Sequence, residues 1–461
     1  MANLAFCVHG HFYQPPREDP LTGEIPIEPG AAPYRNWNER IHAQCYFPNA
    51  LVHNFERMSF NIGPTLMEWM FDFDPETQSD IIFQNQKNVE ERGVGNAMAQ
   101  SYNHTILPLA SLQDKITQVR WGIADYELRF GQKPQGMWLP EAGVDDETLS
   151  VLADCGISFT ILAPWQADTN NLDTSHPYQV TLPGHRSIAV FFYNQELSTR
   201  ISFDPASTVN ADQFIQELVM PKFDYGENGV ENEEPQFILI ASDGELYGHH
   251  QPFRDKFLAY LLDGALKNVN VTMSYPGLWL KQYPPKEEMK IRQNTSWSCH
   301  HGVLRWSGVC NCTPHSEWKA QFRTGLNRLS EAIDQEYLKV LGGRMDDPWE
   351  LRHRYISVLH GVRSLKELVD ELCGWKPDDR TQQQLQWLLR AQYERQRMFT
   401  SCGWFFEDYD RIEPRNNTAY AAQATWLTRM ATGVDLSEIA GEEMEKVKSW
   451  RTGVSAVDVF M

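Results

Sequence analysis

Basic residues are scarce in this chain. Lys and Arg number 41 against 61 Asp and Glu in 461 residues, a formal net charge of −20. Phosphate backbones call for basic patches, so nucleic acid is excluded as a partner, and an anionic lipid surface with it. Long apolar runs are also missing. No stretch approaches the ~20 apolar residues that span a bilayer, so no membrane partner is expected. The segment Met1 to His9 carries neither a basic start nor a long apolar core of the kind that directs secretion, and the expected location is cytoplasmic. No Gly-rich phosphate fingerprint follows any apolar run, which leaves nucleotide binding without support. Cysteines number only eight, scattered and mostly within apolar runs, as expected of reduced, buried thiols.

Aromatic residues, by contrast, make up 12% of the chain and include 15 Trp. Trp faces build cores, and they also pack against the apolar faces of sugar rings. The stretch that organises the rest is Gly136-Met137-Trp138-Leu139-Pro140-Glu141. An apolar run stops on a carboxylate, a turn follows, and Thr148, Leu149, Val151 and Leu152 continue at helical spacing. A second run, Phe237 to Ser242, ends in Asp243-Gly244-Glu245. In barrels of alternating strands and helices, chemistry sits at the C-terminal ends of the strands. Two carboxylates at two such ends are the equipment for acid–base cleavage of a sugar acetal.

Taken in order, the pattern predicts strands at 4–8, 58–62, 96–100, 136–141, 157–162, 188–193 and 237–242, with a short further strand at 269–274. Helical spacing separates most of them, and such alternation implies a parallel sheet. Seven strong strands suit a closed or nearly closed barrel, with a doubly wound open sheet as the alternative. His9 to Pro20 reads as a Pro/Gly-rich loop, and residues 224–234 as an acidic, disordered-looking insert. Near Asn294 the character changes. A polar, aromatic loop from Gln293 to Trp306 leads into helical patterns at 317–340, 349–372, 381–399 and 419–432. The expected division is a catalytic barrel over 1–290 and a helical domain over 291–461.

His9, His11, His104, His249 and His250 all lie near predicted strand ends. A metal-dependent mechanism uses such histidines as ligands. The alternative, adopted here because the carboxylate pair suffices for the reaction, is that they hydrogen-bond sugar hydroxyls or orient carboxylates. Glu245 competes with Asp243 for the acid role, and position nearest the strand end favours Asp243. Cys299, His300, His301, Cys310 and Cys312 form a candidate metal cluster. Cys310 and Cys312 are one residue apart, unlike the Cys-x₂₋₄-Cys of structural zinc sites, so ordinary buried thiols and no metal are expected.

These motifs resemble those of glycoside hydrolase family 57 over most of the chain. His11 with Gln14-Pro15 resembles the first motif, Trp138-Leu139-Pro140-Glu141 the third, and Ser242 through His249 the fourth. Gly95 to Gln100 stands in place of the second motif but departs from its commoner wording. The loops around Trp297 and Trp404 resemble a branch with its own helical region.

The resemblance implies a (β/α)7 barrel followed by an α-helical domain, retention of anomeric configuration, no cofactor, and α-glucan substrates of amylase, 4-α-glucanotransferase or branching type. It makes Glu141 the nucleophile and Asp243 the acid/base. His9, His11, Gln14, Trp138, His104, Glu245, His249, Trp297, Trp306 and Trp404 are expected to contact substrate. The alternatives are a metal-dependent deacetylase or mannosidase-like enzyme on a related barrel, and a non-catalytic glycan-binding protein. Oligomeric state is left open.

Overall fold

The computed structural model describes residues 4–224 and 234–461. Most of the acidic insert expected at 224–234 therefore lies outside the described residues. The chain divides into two units that interleave in sequence. The first comprises the residues up to Gln14, Ile27–Gln100 and Tyr126–Gln293; the second comprises Pro15–Pro26, Ser101–Asp125 and Asn294–Met461. The change of character near Asn294 thus coincides with a unit boundary. The simple division at 290/291 differs in that two earlier stretches, 15–26 and 101–125, group with the C-terminal region.

In the first unit the strands are β1 (Leu4–Phe12), β2 (Ser59–Ile62), β3 (Ala97–Gln100), β4 (Met137–Trp138), β5 (Phe159–Leu162), β6 (Tyr178–Leu182), β7 (Arg186–Phe192), β8 (Gln236–Asp243) and β9 (Thr272–Met273). One sheet runs β4-β3-β2-β1-β8, with β9 beside the start of β1, and a second runs β5-β7-β6. A parallel bridge between Gly136 and Phe159 links β4 to β5. The Asn194 N–H donates to the Leu239 carbonyl at 2.7 Å, linking the end of β7 to β8. Seven strands thus follow one another round a (β/α)7 barrel, and β6 is an antiparallel addition to β7.

All nine residues of β1 are buried, as is usual for a parallel strand covered on both faces. It runs four residues beyond the expected 4–8, so the two histidines lie on a strand and not in a loop. Gly10 makes this possible: a Cβ there would stand 2.5 Å from Met58 Cε. Capping sets the helices that follow strands. Asp145 Oδ1 accepts from the Thr148 N–H at 2.7 Å and starts the helix Asp146–Asp154. Asp74 caps Pro75–Arg92 in the same way, and Gly93 ends it at φ 72°.

The second unit is helical. Its long helix Trp318–Leu341 buries Phe322, Leu326, Leu329, Ile333, Tyr337 and Leu341 along one stripe. Helix Asp379–Arg397 follows the expected 381–399 closely, and helix Ile412–Thr432 ends as expected but starts ahead of 419. The single helix expected at 349–372 is instead three short ones, Pro348–Arg354, Ile356–Leu359 and Leu365–Leu372. Ser364 caps the last of these reciprocally with Glu367.

Candidate active site

The C-terminal ends of β1, β2, β3, β4 and β8 converge polar side chains in the first unit. In the parallel register of β1 and β8, His11 lies opposite Asp243. In that of β1 and β2, His11 lies opposite Asn61. Asn61 is the hub. Its amide donates to His11 Nδ1 at 2.9 Å and to Gln100 Oε1 at 2.8 Å, while its carbonyl oxygen lies 3.2 Å from His9 Nε2. His9 Nδ1 meets Ser59 Oγ at 2.9 Å. His11 Nδ1 also lies 3.3 Å from the Asn61 carbonyl oxygen, so Asn61 joins both imidazoles in one network.

Burial keeps both rings neutral. It lowers His9 to about 3, helped by His11 beside it, and His11 to about 4, against a partial offset from Asn61. Trp138 is wholly buried and stacks on both, with ring centroids 4.9 Å from His9 and 5.1 Å from His11. It therefore backs the histidines. His9 is likewise fully buried, with Ser59 and Asn61 at its ring nitrogens.

Three carboxyls act on one another at this end of the barrel. Burial raises Asp243 to about 7, and the charge of Glu141 adds to the effect. Asp243 is nonetheless open to solvent by area. Burial also raises Glu245 to about 8, and Asp243 adds to that, against bonds from Tyr46 and the Tyr13 backbone. Those bonds reach Glu245 Oε1 at 2.7 Å from Tyr46 Oη and 3.1 Å from the Tyr13 N–H. Gln14, at the end of the first strand's extension, also bonds Tyr46.

Glu141 is half-buried and has a left-handed backbone, φ 56° and ψ 22°, followed by Ala142 at φ 49°. Two successive non-glycine residues in that region are costly and concentrate at functional sites. The turn is held by Gln166, whose amide donates to the Ala142 carbonyl at 2.7 Å. Glycines permit close approach around Asp243. A Cβ on Gly244 would meet the Phe12 ring at 2.4 Å, and one on Gly248, at φ 135°, would meet the Gln44 carbonyl at 2.1 Å. His249 Nδ1 lies 2.7 Å from Gln44 Oε1, and the edge of its ring meets Trp37. Burial, its neighbour His250 and Arg40 lower it to about 4.

The remaining predicted residues belong to the second unit. His104 is buried, with φ 54°, and its Nδ1 meets Ser401 Oγ at 2.7 Å. Trp306 and Trp404 are 0% exposed within the apolar core of that unit. Both pack in that core. Trp297 is half-buried. Sequence reasoning missed Asn61, Gln100, Tyr13 and Tyr46. The available signal was an Asn and a Gln among apolar residues at strand ends, where a buried amide needs partners. Gln100 Nε2 is buried and has no hydrogen-bond partner among the described residues, a donor left over at the end of β3.

Residues 18–292 match the model of glycosyl hydrolase family 57, and residues 315–455 match a domain of unknown function, DUF3536. Alpha-amylase 1 of Dictyoglomus thermophilum is 25% identical over 220 residues, 46% of this chain and 29% of that protein. The 4-alpha-glucanotransferase of Thermococcus litoralis is 20% identical over 260 residues, 54% of this chain and 36% of that protein. The chain thus spans about a third of the length of these curated relatives. Among solved structures, an exo-type maltose-forming amylase from Pyrococcus sp. ST04 superposes with a TM-score of 0.76 at 15% identity, over 99% of this chain and 87% of that one. A GH57-type branching enzyme from Pyrococcus horikoshii superposes at 0.60 and 15% identity, over 99% and 97%. These structural likenesses carry the fold.

Proposed function

The chain belongs to glycosyl hydrolase family 57, and from that premise we propose that it cleaves or transfers α-glucosidic bonds of α-glucans with retention of configuration. Glu141 attacks the anomeric carbon and forms a glycosyl-enzyme as the glycosidic bond breaks. Asp243 gives its proton to the departing oxygen, then takes one from the acceptor, water or a sugar hydroxyl. The observation that carries this reading is the Asp243 carboxyl, raised to about 7 by burial and by Glu141. A general acid works best when its pKa lies near the working pH. Once Glu141 has been esterified its charge is gone, Asp243 becomes more acidic, and it is ready to act as base.

The supporting residues follow from the same chemistry. His11, kept neutral by burial, lies opposite Asp243 and would hydrogen-bond a sugar hydroxyl. Glu245, protonated at neutral pH, gives Asp243 a neutral neighbour and anchors Tyr13 and Tyr46. A mechanism with His9 as metal ligand has less support, since both its nitrogens are already bonded.

The test is product analysis of wild type and Glu141→Gln with maltoheptaose and amylose. Shorter products alone, lost in the variant, indicate hydrolysis, and a ladder above and below the starting length indicates transfer. New branch linkages narrow transfer to branching. Equal products from both proteins would remove Glu141 as nucleophile, and no product from either would remove α-glucan as substrate.

A further inference from the structure

Within the second unit, residues far apart by motif rules come together in space. Cys299 Sγ lies 3.5 Å from Cys310 Sγ and 3.8 Å from Cys312 Sγ. His301 Nδ1 lies 3.4 Å from Cys310 Sγ and 3.3 Å from Cys312 Sγ. All four ligand atoms fall within 4.8 Å of one another. His300, the fifth candidate of the sequence pattern, is exposed and is not among them.

The geometry points to a structural zinc site: we propose that Cys299, His301, Cys310 and Cys312 bind one tetrahedral Zn²⁺. With Zn–S about 2.3 Å and Zn–N about 2.0–2.1 Å, the edges of a tetrahedron are about 3.8 Å between sulfurs and about 3.5 Å between sulfur and nitrogen. The four distances above match these edges to within a few tenths of an ångström. They do not match a disulfide, whose sulfurs stand about 2.05 Å apart. Nor do they leave room for an iron–sulfur cluster, which spreads its thiolates around several metal atoms. Sulfur-rich tetrahedral sites select zinc among the common divalent ions by softness and shape.

Local structure holds the ligands on two turns. In the first, the Gly302 N–H donates to the Cys299 carbonyl at 3.1 Å and Ser296 Oγ donates to the Gly302 carbonyl at 2.7 Å. Gly302 has φ 73°, and a Cβ there would stand 2.2 Å from the Asn294 carbonyl oxygen. In the second, the Thr313 N–H donates to the Cys310 carbonyl, and Ser316 Oγ accepts from the Cys310 N–H, both at 3.1 Å. Each turn aims its ligands inward without help from secondary structure.

Charge supplies an independent observation. Three thiolates and one Zn²⁺ leave a net charge of about −1. Lys319, on the long helix, is buried over the Trp318 ring, its Nζ has no hydrogen-bond partner among the described residues, and Arg305, Cys310, Glu407 and Cys299 all act on it electrostatically. A buried ammonium without a carboxylate bonded to it is costly. Beside a zinc–trithiolate centre it is a compensating charge, the kind of outer partner that metal sites carry. Cys299 and Cys310 also pack in the apolar core with Trp306, Trp318 and Trp404. The ion would therefore staple the loop from Asn294 to Ser316 onto that core, supplying order that the loop lacks in regular structure.

The test uses the full-length chain, purified under reducing conditions from zinc-supplemented cells. Metal analysis should find about one zinc per chain, released in step with mercurial titration of thiols. Cys312→Ser, which removes a half-buried ligand, should lose the zinc, while Cys402→Ser, outside the cluster, should keep it. Cobalt added to the metal-stripped protein should give intense thiolate charge-transfer and tetrahedral d–d bands, which requires only that this site form. Zinc held equally by Cys312→Ser and Cys402→Ser would overturn the proposal. So would zinc-free protein whose cobalt spectrum stays octahedral, or iron at the same stoichiometry with iron–sulfur absorption.

Discussion

Two regions of this molecule bury carboxylates, and they do so to opposite ends. At the strand ends, no arginine or lysine among the described residues figures in the shifts of Asp243 and Glu245, and burial together with neighbouring acids raises both. In the helical unit Asp114 is buried, and burial alone would raise it too. There Arg395 and Arg352 reverse the sign and hold Asp114 well below the usual carboxylate range. Arg395 donates to Asp114 Oδ1 at 2.7 Å and to Asp334 Oδ2 at 2.6 Å, and Gln396 adds another bond to Asp114 at 2.7 Å. The first arrangement keeps protons available for transfer, at a cost in stability. The second fixes charges in place and binds helices Trp318–Leu341, Pro348–Arg354 and Asp379–Arg397 to one another.

The contrast is broken most severely at Glu141. Glu141→Gln should lower turnover on the order of 10⁴-fold or more, as loss of a nucleophile does. The loss should come with little change in denaturation midpoint, and steady-state kinetics beside chemical denaturation checks both. Arg395→Met should do the reverse. It leaves Asp114 and Asp334 short of their counter-ion, costing about 3–5 kcal/mol of stability, and a fall in melting temperature would record it. Restoring much of the loss with Asp114→Asn in the same chain would identify the stranded charge as the cause.

The pH profile sharpens the comparison. Asp243 must be protonated to act as acid, so kcat/KM should fall about tenfold per pH unit above a limb near 7. A profile flat to well above that limb would take the acid role from Asp243.

The smallest effect is expected at Glu245. Its folded-state value is raised, so the folded protein holds this proton more tightly than the unfolded chain does. Its contribution is fully present below about 4.5 and is lost as pH rises through about 8. Glu245→Gln keeps an acceptor for Tyr13 and Tyr46 and removes that loss. Relative to wild type it should therefore gain more stability at pH 9 than at pH 5, read from denaturation midpoints at the two values.

Much of this was legible in the residues because parallel strands buried on both faces leave continuous apolar runs. Such runs placed Glu141 and Asp243 at strand ends. Strand β6 escaped for the complementary reason. Tyr178-Gln179-Val180-Thr181-Leu182 alternates buried and more exposed positions, the mark of an antiparallel strand covered on one face, and it is short and flanked by prolines. Gly10 and two histidines disguised the second half of β1 as loop. Trp138, Trp306 and Trp404 illustrate a limit of composition: an aromatic beside a site suits packing as well as stacking, and only burial separates the two. The Asn61 network was hidden by sequence distance, since it is assembled from strands whose approach no spacing rule encodes, whereas the Cys299, His301, Cys310 and Cys312 cluster was visible as residue types but set aside on the Cys310/Cys312 spacing.

The most direct measurement is mass spectrometry of Asp243→Asn after incubation with α-maltosyl fluoride. Fluoride leaves without an acid, so the first step should proceed, whereas the second lacks its base and should stall. The account predicts a maltosyl ester accumulating on the peptide that contains Glu141. Steady turnover without an adduct, an adduct on another residue, or release of the inverted anomer would contradict it.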